Sequence, residues 1–481
     1  MLITVIIILA CFIGLIILIL TDKLNRAIAS LAGAVISYLA LVFLEGYDYT
    51  LIVNLIFGTQ VEGFVNLHSL VLIISMMLIV EISHQAGTFQ FIAGYLTKLS
   101  KGKPILLMII FCCVTVLISA ILNNLLTVII IIPLTITVSR MLNINPSPYI
   151  LTQAILVNVG GTVFMISSIP NILITNYANI EFVEFFLNVG LVSLVIFMFT
   201  LILFILLYKD ELKVPEESSN VLKEYNIWNV VQNKRLLIQS LTGLLLLFTL
   251  FIIVPSNIIS SDILALSIAL ILIIISKLDP REILSKIDLE LIFYLIGVFV
   301  ITGGLEIMGA TNIVGDMILF LGAGSPILQL IMVLWISAYF SSAIDNIPIT
   351  KVLIPVIGDV SESLPSSLRK QMFYSLTFGA NWGDNLTPLG DNILVVNIAQ
   401  QNKRSMSFKQ FFKLGFIVTN YQLALITVYY LLMFNIGIGL ITVIIITFLV
   451  VSLYFMNFIS LKRKKLKINQ FFIKIRNSII R

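Results

Sequence analysis

Charged residues are scarce in this chain. Only 11% of its 481 residues are Asp, Glu, Lys or Arg, whereas 59% are apolar, and the mean hydropathy is +1.10. A soluble domain carries about 25% charged residues, because its folded surface must be covered with polar groups. The composition therefore excludes a soluble enzyme, and it is the opposite of the composition of a disordered protein.

Histidine and cysteine are also scarce. The two histidines, His68 and His84, form no metal motif, and Cys11, Cys112 and Cys113 lie inside apolar runs without metal-ligand or disulfide spacing. An intramembrane enzyme, such as a lipid-modifying transferase, needs an activated nucleophile or a set of metal ligands. The sequence therefore argues against an enzyme and predicts no bound cofactor.

Long stretches free of charge predict membrane-spanning helices, each of about 20 mostly apolar residues. The basic residues then indicate an orientation, since Lys and Arg concentrate in cytoplasmic loops. With the N-terminus outside and the C-terminus in the cytoplasm, 26 of the 29 basic residues are cytoplasmic, and only Lys351, Arg369 and Lys370 are not. This topology accounts for the net charge of +5 without a nucleic-acid partner. We expect a multi-pass protein of the cell membrane, in contact with lipid.

Two polar clusters interrupt the apolar sequence, and both are repeated in the second half. The first cluster begins at Ser119 and contains Asn123-Asn124, and its copy, 222 residues later, begins at Ser341 and contains Asp345-Asn346. The second cluster starts at Gly160, 37 residues after Asn123, and its copy starts at Gly383, 38 residues after Asp345. Two clusters with a conserved separation predict an internal repeat.

The repeat predicts the fold class. Each half has five crossings plus one segment that returns to its own side, and because five is odd the halves have opposite orientations, which is typical of secondary transporters. We predict an all-α polytopic membrane protein with two inverted repeats, each with a re-entrant hairpin and an unwound transmembrane helix, and about 11 crossings. A full crossing pair with a tight turn would give each hairpin the same topology. The predicted domains are the two halves 1–208 and 236–434, a cytoplasmic linker 209–235, and an extra helix with a basic tail, 435–481.

The polar clusters predict one central site. A helix breaks inside a membrane only beside protein or a wet cavity, and the break exposes carbonyl groups to cations and helix N-termini to anions. The two hairpin tips and the unwound stretches 160–171 and 379–392 are expected to face this site. The candidate substrate- and ion-binding residues are Ser119, Asn123, Asn124, Thr162, Ser167, Ser168, Asn171, Ser341, Ser342, Asp345, Asn346, Asp384, Asn385, Thr387, Asp391 and Asn392.

Three aspartates distinguish the second half from the first. Intramembrane carboxylates usually belong to an ion path or a proton relay, and hard oxygen ligands suit Na⁺. We therefore predict that Asp345, Asp384 and Asp391 hold the coupling ion, Na⁺ or H⁺. Asp345 has an alternative role, a structural ion pair with Lys351, six residues further along the hairpin.

From roughly residue 60 to residue 435 the chain resembles the ion transporter superfamily of arsenite pumps, D-type sodium/proton antiporters, the P protein, and citrate and dicarboxylate carriers. The stretches LNNLLTVIIIIPLTITVSRML and SSAIDNIPITKVLIPV look like its two hairpins, and GGTVFMISSIPNILI looks like its first unwound segment. The resemblance implies an inverted-repeat scaffold with elevator-type alternating access, often as a homodimer. The chain departs from the family twice: Ser167-Ser168-Ile169-Pro170-Asn171 replaces Gly-Asp-Pro-Pro-Asn, and Gly390-Asp391-Asn392 replaces Gly-Ala-Ser-Ala-Asn.

These observations favour a secondary active transporter that moves a small ion by alternating access, coupled to Na⁺ or H⁺. A citrate-like or oxyanion substrate is preferred, because both unwound stretches offer helix ends and hydroxyl groups. A Na⁺/H⁺ antiporter is the alternative. A passive channel and an intramembrane enzyme are weaker hypotheses.

Overall fold

The structure is a computed structural model. It describes residues 1–21, 23–101, 103–209, 211–212, 228, 231, 233–387, 392–401 and 408–444. Within these ranges all regular secondary structure is helical, which confirms the predicted all-α fold class. Asp391, most of the predicted linker and the basic tail lie outside the described residues.

Polar caps begin several helices of the first half. The side chains of Asn25, Asn123 and Ser168 each accept a hydrogen bond from a backbone N–H in the turn that follows. The helices of the described first half are α1 (Leu2–Thr21), α2 (Arg26–Glu45), α3 (Leu51–Phe57), α4 (Val65–Gln85), α5 (Thr88–Leu99), α6 (Pro104–Ser119), α7 (Asn124–Met141), α8 (Ser147–Gly160), α9 (Ile169–Tyr177) and α10 (Phe182–Tyr208).

The second half uses the same kind of cap. Asn233, Asp279 and Asp288 accept hydrogen bonds from the first backbone N–H groups of their helices. The helices of its described part are α11 (Lys234–Ile253), α12 (Ser261–Ser276), α13 (Pro280–Ser285), α14 (Leu289–Ile307), α15 (Asn312–Leu321), α16 (Pro326–Ile344), α17 (Asn346–Val360), α18 (Ser366–Gly383), α19 (Asn392–Gln401) and α20 (Phe408–Phe434).

Nine helices of the described chain are long and apolar enough to cross a membrane. Two of them, α7 and α16, are limbs of the hairpins. Of the predicted crossings, 148–178 and 371–398 are interrupted, α12 has only 16 residues, and 438–458 continues beyond the described residues. The nine helices therefore include two hairpin limbs and lack these four predicted crossings, which explains why they differ in number from the predicted crossings, about 11. The protein is a multi-pass membrane protein.

Helices α2 and α14 pack closely because small residues meet at their contact. A Cβ on Gly297 would lie only 2.5 Å from the backbone and hydroxyl of Ser30. At one end of this pair, which we call the Arg26 end, the Arg26 guanidinium lies 3.3 Å from Asp288 and 3.2 Å from Glu290. Helix α1 covers α2, and α11 and α12 pack on α4.

Each hairpin packs on the broken helix of its own half. Helix α6 lies against α8, and α16 lies against α18. The Ser119 hydroxyl donates to the Val157 carbonyl at 2.6 Å, and the Ser341 hydroxyl donates to the Ala380 carbonyl, also at 2.6 Å. The same contact therefore occurs in both halves, whereas their opposite orientation and the depth of the hairpins stay predictions.

The second unwound stretch begins later than predicted. Helix α18 continues through Gly379 and ends at Gly383, so the break begins after Gly383. Gly379 has a packing role instead, because a Cβ there would collide with the side chain of Ser337 on α16. Glycine in this stretch therefore indicates a close helix contact, which the sequence pattern did not distinguish from unwinding.

Candidate functional site

Three helix N-termini converge on one cavity at the Arg26 end of the molecule. Two of them belong to α7 and α17, at the two hairpin tips, and the third belongs to α9, which follows the first unwound stretch. We call this cavity the central cleft. Its polar lining consists of Arg26, Asn123, Asn124, Ser168, Asp288, Asp345 and Asn346.

The first hairpin tip has a relaxed backbone. Asn123 has φ −64° and ψ 160°, and its side chain caps α7 by accepting from the Leu126 N–H at 2.9 Å. The neighbouring Asn124 is 5% exposed, and its amide nitrogen donates to Asn158 on α8. A buried amide that is bonded in this way fixes the tip against the helix behind it.

The second hairpin tip has a strained backbone. Asp345 has φ +99° and ψ 144°, a combination that residues with a side chain rarely adopt. One of its carboxylate oxygens accepts from the Asn346 N–H at 2.7 Å, and the other accepts from the Tyr294 hydroxyl at 3.3 Å. The tip therefore places a carboxylate in the cleft where the first tip has a neutral amide.

The cleft offers contacts for both signs of charge. Each helix N-terminus carries about half a positive elementary charge on its unpaired N–H groups, and Arg26 adds a full charge. Asp345 provides hard oxygen atoms, and Asp288 holds Arg26. An anion fits the converging helix ends, and a cation fits the carboxylate beside them.

A chain of buried amides connects the first hairpin tip to the second unwound stretch. Asn158 accepts from Asn124, and its own amide nitrogen donates to Asn385 Oδ1 at 2.7 Å and to Asp384 Oδ2 at 3.4 Å. The Asn385 amide nitrogen donates to the Ile155 carbonyl at 3.0 Å. Asn158 thus links residues that are more than 200 positions apart in sequence.

A second amide link connects α18 of the second half to the first unwound stretch. Asn381 on α18 donates to Asn171 Oδ1 at 2.8 Å, and Asn171 donates to the carbonyls of Gly161 and Phe164 in the first unwound stretch. The Ser167 hydroxyl also donates to the Gly161 carbonyl, at 2.8 Å. The free carbonyls of the first break are therefore satisfied partly by Ser167 of the break itself and by Asn171 in the first turn of α9.

The structure separates the predicted site residues into two groups. Five of them line the central cleft, namely Asn123, Asn124, Ser168, Asp345 and Asn346. Ten do not line the cleft and form hydrogen bonds with other protein groups, that of Ser342 at an exposed position, namely Ser119, Thr162, Ser167, Asn171, Ser341, Ser342, Asp384, Asn385, Thr387 and Asn392. Asp391 lies outside the described residues.

Sequence reasoning missed Asn158, Asn381 and Arg26. The two asparagines are 223 residues apart, and each stands two residues before the glycine that ends its helix, so the repeat contained a signal for them. Arg26 was recognised only as a cytoplasmic charge, because nothing in its neighbourhood in sequence indicates that α2 and α14 bring it to the hairpin tips.

Lys351 occupies a different cavity from Asp345. Its ammonium group donates to Asn66 Oδ1 at 2.7 Å and lies 5.1 Å from the centre of the Phe299 ring. The same cavity is lined by Glu306 from the end of α14. This position favours a role in the cleft for Asp345 over the alternative of an ion pair with Lys351.

Within the described ranges, no three His, Cys, Asp or Glu side chains are grouped closely enough to hold a metal ion. Asp384 is only 4% exposed, and it contacts Asn158 behind the cleft. A cation that reached it would find amide and carbonyl oxygens as its other ligands, which suit Na⁺ better than a transition metal.

Paired hairpins, broken helices and converging helix ends inside a multi-pass protein define the class of membrane transporters. The citrate transporter family model matches residues 16–370, and the chain belongs to this family. The match covers both hairpin tips and the first unwound stretch, and it confirms the resemblance to the ion transporter superfamily.

Curated relatives agree with this assignment. The chain is 28% identical over 415 residues to a 46 kDa membrane protein of Mycobacterium leprae, which covers 86% of this chain and 95% of the relative. It is 27% identical over 423 residues to an uncharacterized transporter of Mycobacterium tuberculosis, covering 87% and 96%. It is also 26% identical over 486 residues to the human P protein, covering 84% of this chain and 57% of that protein.

Proposed function

We propose that this protein is a secondary active transporter that moves a small anion, citrate-like or an oxyanion, by alternating access, with Na⁺ or H⁺ as the coupling ion. The observation that carries the proposal is the convergence of three helix N-termini and Arg26 on the central cleft. Membership of the citrate transporter family supports the same substrate class.

The coupling ion belongs with the aspartates. Asp345 places its carboxylate beside the helix ends, and Asp384 lies buried behind them and is connected to the first hairpin tip through Asn158. Asp391 completes the proposed set from the sequence. A cation held by these carboxylates would offset the charge of an anion bound at the helix ends, which gives a physical reason for coupled movement.

A Na⁺/H⁺ antiporter is the second candidate. It is favoured by the Asp345 carboxylate in the cleft, which an antiporter would use alternately for Na⁺ and H⁺. The two candidates differ in whether an anion is needed for ion movement.

The proposal is tested with purified protein in liposomes, by measuring uptake of labelled citrate under an imposed Na⁺ or pH gradient. We expect saturable accumulation against the citrate gradient, which is abolished when an ionophore collapses the driving gradient. The variants Asp345→Asn and Asp384→Asn are expected to reduce ion-driven uptake at least tenfold. Asp316→Asn, on the exposed face of α15, serves as the matched control.

Each outcome has a distinct meaning. Na⁺-driven proton movement without any anion, measured with a pH-sensitive dye, supports the antiporter. Downhill ohmic current without accumulation supports a channel. Ion-driven uptake that survives replacement of all three aspartates contradicts the proposed position of the coupling ion.

We further propose that the protein is a homodimer with its N-terminus outside and its C-terminus in the cytoplasm. The resemblance to the superfamily supports the dimer, and the positions of 26 basic residues support the orientation. The mass of the detergent-solubilised complex tests the first, and labelling of single cysteines at each terminus with an impermeant reagent in whole cells tests the second.

A further inference from the structure

The two buried asparagines Asn158 and Asn381 hold equivalent places in the two halves. Each lies in the helix that its hairpin packs on, and each follows the residue whose carbonyl accepts from Ser119 or Ser341. Each also donates its amide nitrogen across the molecule to an asparagine of the other half. The pair forms two matched links between the halves.

The amide oxygens of this pair differ. Asn158 Oδ1 accepts from the Asn124 amide at the first hairpin tip. Asn381 Oδ1 accepts no hydrogen bond from any residue that the structure describes, although Asn381 is 0% exposed. The assignment of this oxygen is fixed, because the amide nitrogen donates both to Asn171 Oδ1 and to the Thr377 carbonyl. A buried acceptor without a donor is unfavourable and calls for a partner.

The residue equivalent to Asn124 is Asn346, 222 positions later at the second hairpin tip. In this structure Asn346 lines the central cleft. The residue before it, Asp345, has the strained φ of +99°, whereas the equivalent Asn123 has φ −64°. The first tip is therefore relaxed and bonded to α8, and the second tip is strained and not bonded to the equivalent position on α18.

We propose that Asn381 is a positioning residue for the second hairpin tip. When the anion binds in the central cleft, the tip moves so that the Asn346 amide donates to Asn381 Oδ1, as Asn124 donates to Asn158. The second hairpin is then the gate of the cleft, and the first hairpin is its fixed wall. This inference rests on the proposed transport of an anion.

The proposed motion would remove two unfavourable features at once. It gives Asn381 Oδ1 the donor that it lacks among the described residues, and it turns the tip out of the conformation in which Asp345 has a positive φ. The strain at Asp345 keeps the two positions of the tip close in free energy, so that binding of an anion can shift the population between them.

The test compares two double-mutant cycles. One contains Asn346→Ala, Asn381→Ala and the double variant, and the matched cycle contains Asn124→Ala, Asn158→Ala and their double variant. Two quantities are measured in detergent, the melting temperature without ligand and the dissociation constant for citrate in the presence of NaCl. The cycle isolates each pairwise bond from the other bonds that Asn381 and Asn158 make.

We expect the Asn124–Asn158 pair to couple in the ligand-free melting temperature, because that bond is already formed. We expect Asn346→Ala to leave the ligand-free melting temperature unchanged and to weaken citrate binding about tenfold, as for one hydrogen bond. The double variant Asn346→Ala/Asn381→Ala should then bind citrate no more weakly than the weaker of its single variants.

Two results would overturn the gate. One is that Asn346→Ala lowers the ligand-free melting temperature as much as Asn124→Ala does. The second tip would then already be bonded. The other is a rise in melting temperature on addition of NaCl alone that disappears in Asn381→Ala but persists in Asn346→Ala. Asn381 Oδ1 would then be a direct cation ligand. If citrate fails to stabilise the unaltered protein, the proposed substrate is wrong, whereas the ligand-free comparison still tests the asymmetry of the tips.

Discussion

The two hairpin tips share a scaffold and differ in chemistry. Behind both tips a serine hydroxyl donates to the carbonyl of a helix in the same half, at the same distance of 2.6 Å. At the first tip Asn124 is neutral and bonded to Asn158, whereas at the second tip Asp345 is acidic and strained. The comparison teaches that the repeat preserves the contacts that position a tip, whereas the tips themselves differ in charge and in backbone strain.

The largest expected effect concerns the glycines that let each hairpin approach its broken helix. A Cβ on Gly383 would lie 2.2 Å from the Ala338 carbonyl, and one on Gly160 would lie 2.7 Å from the Ser119 Cβ and 2.8 Å from the Val116 carbonyl. We expect Gly383→Ala to lower the free energy of unfolding by about 3 kcal/mol and Gly160→Ala by about 2 kcal/mol, because backbone must move in both cases.

Melting temperatures in detergent measure this difference between the halves. Gly14→Ala on α1 is the control, since no atom beyond the neighbouring residues and backbone of its own helix lies within 4 Å of the added Cβ, and it is expected to leave stability unchanged or slightly raised. Equal melting temperatures for Gly383→Ala and the unaltered protein would show that the second hairpin does not pack on α18 as described.

An intermediate effect is expected at the amide link that holds the first tip. Asn158→Leu removes the partner of both Asn124 and Asn385 and leaves two buried polar groups unsatisfied. We expect a loss of about 2 kcal/mol in the free energy of unfolding. Thr249→Ala on an exposed part of α11 is the control and should change it by less than about 0.5 kcal/mol. A stable Asn158→Leu variant would contradict the view that the first tip is the fixed one.

The smallest effect isolates the strain at the second tip. Asp345→Gly and Asp345→Ala both remove the carboxylate, but only glycine tolerates φ +99° without a side-chain clash. We expect the glycine variant to be about 1 kcal/mol more stable than the alanine variant in the ligand-free protein. At the first tip, where Asn123 has an ordinary φ, the order should reverse, so that Asn123→Ala is at least as stable as Asn123→Gly. The same order at both tips would show that the second tip is not strained.

The sequence predicted the breaks and the helices well, because they depend on local chemistry. Polar pairs such as Asn123-Asn124 and Asp345-Asn346 interrupt apolar runs, and the structure ends and begins helices at those pairs. The same reasoning placed the second unwound stretch too early, since Gly379 serves close packing rather than unwinding. It also treated all the polar residues of the clusters as facing one site, whereas ten of them do not line the cleft and form hydrogen bonds with other protein groups.

The sequence alone determined the class of the molecule, a helical membrane protein with a repeated pair of polar breaks. It could do so because the scarcity of charge and the repeated polar clusters are properties of the linear chain. Only the tertiary structure decided which groups meet. It brought Arg26 to the hairpin tips, separated Lys351 from Asp345, and joined Asn158 to Asn385. The sequence around an asparagine in an apolar helix does not show whether its amide has hydrogen-bond partners, because those partners come from distant helices that pack against it.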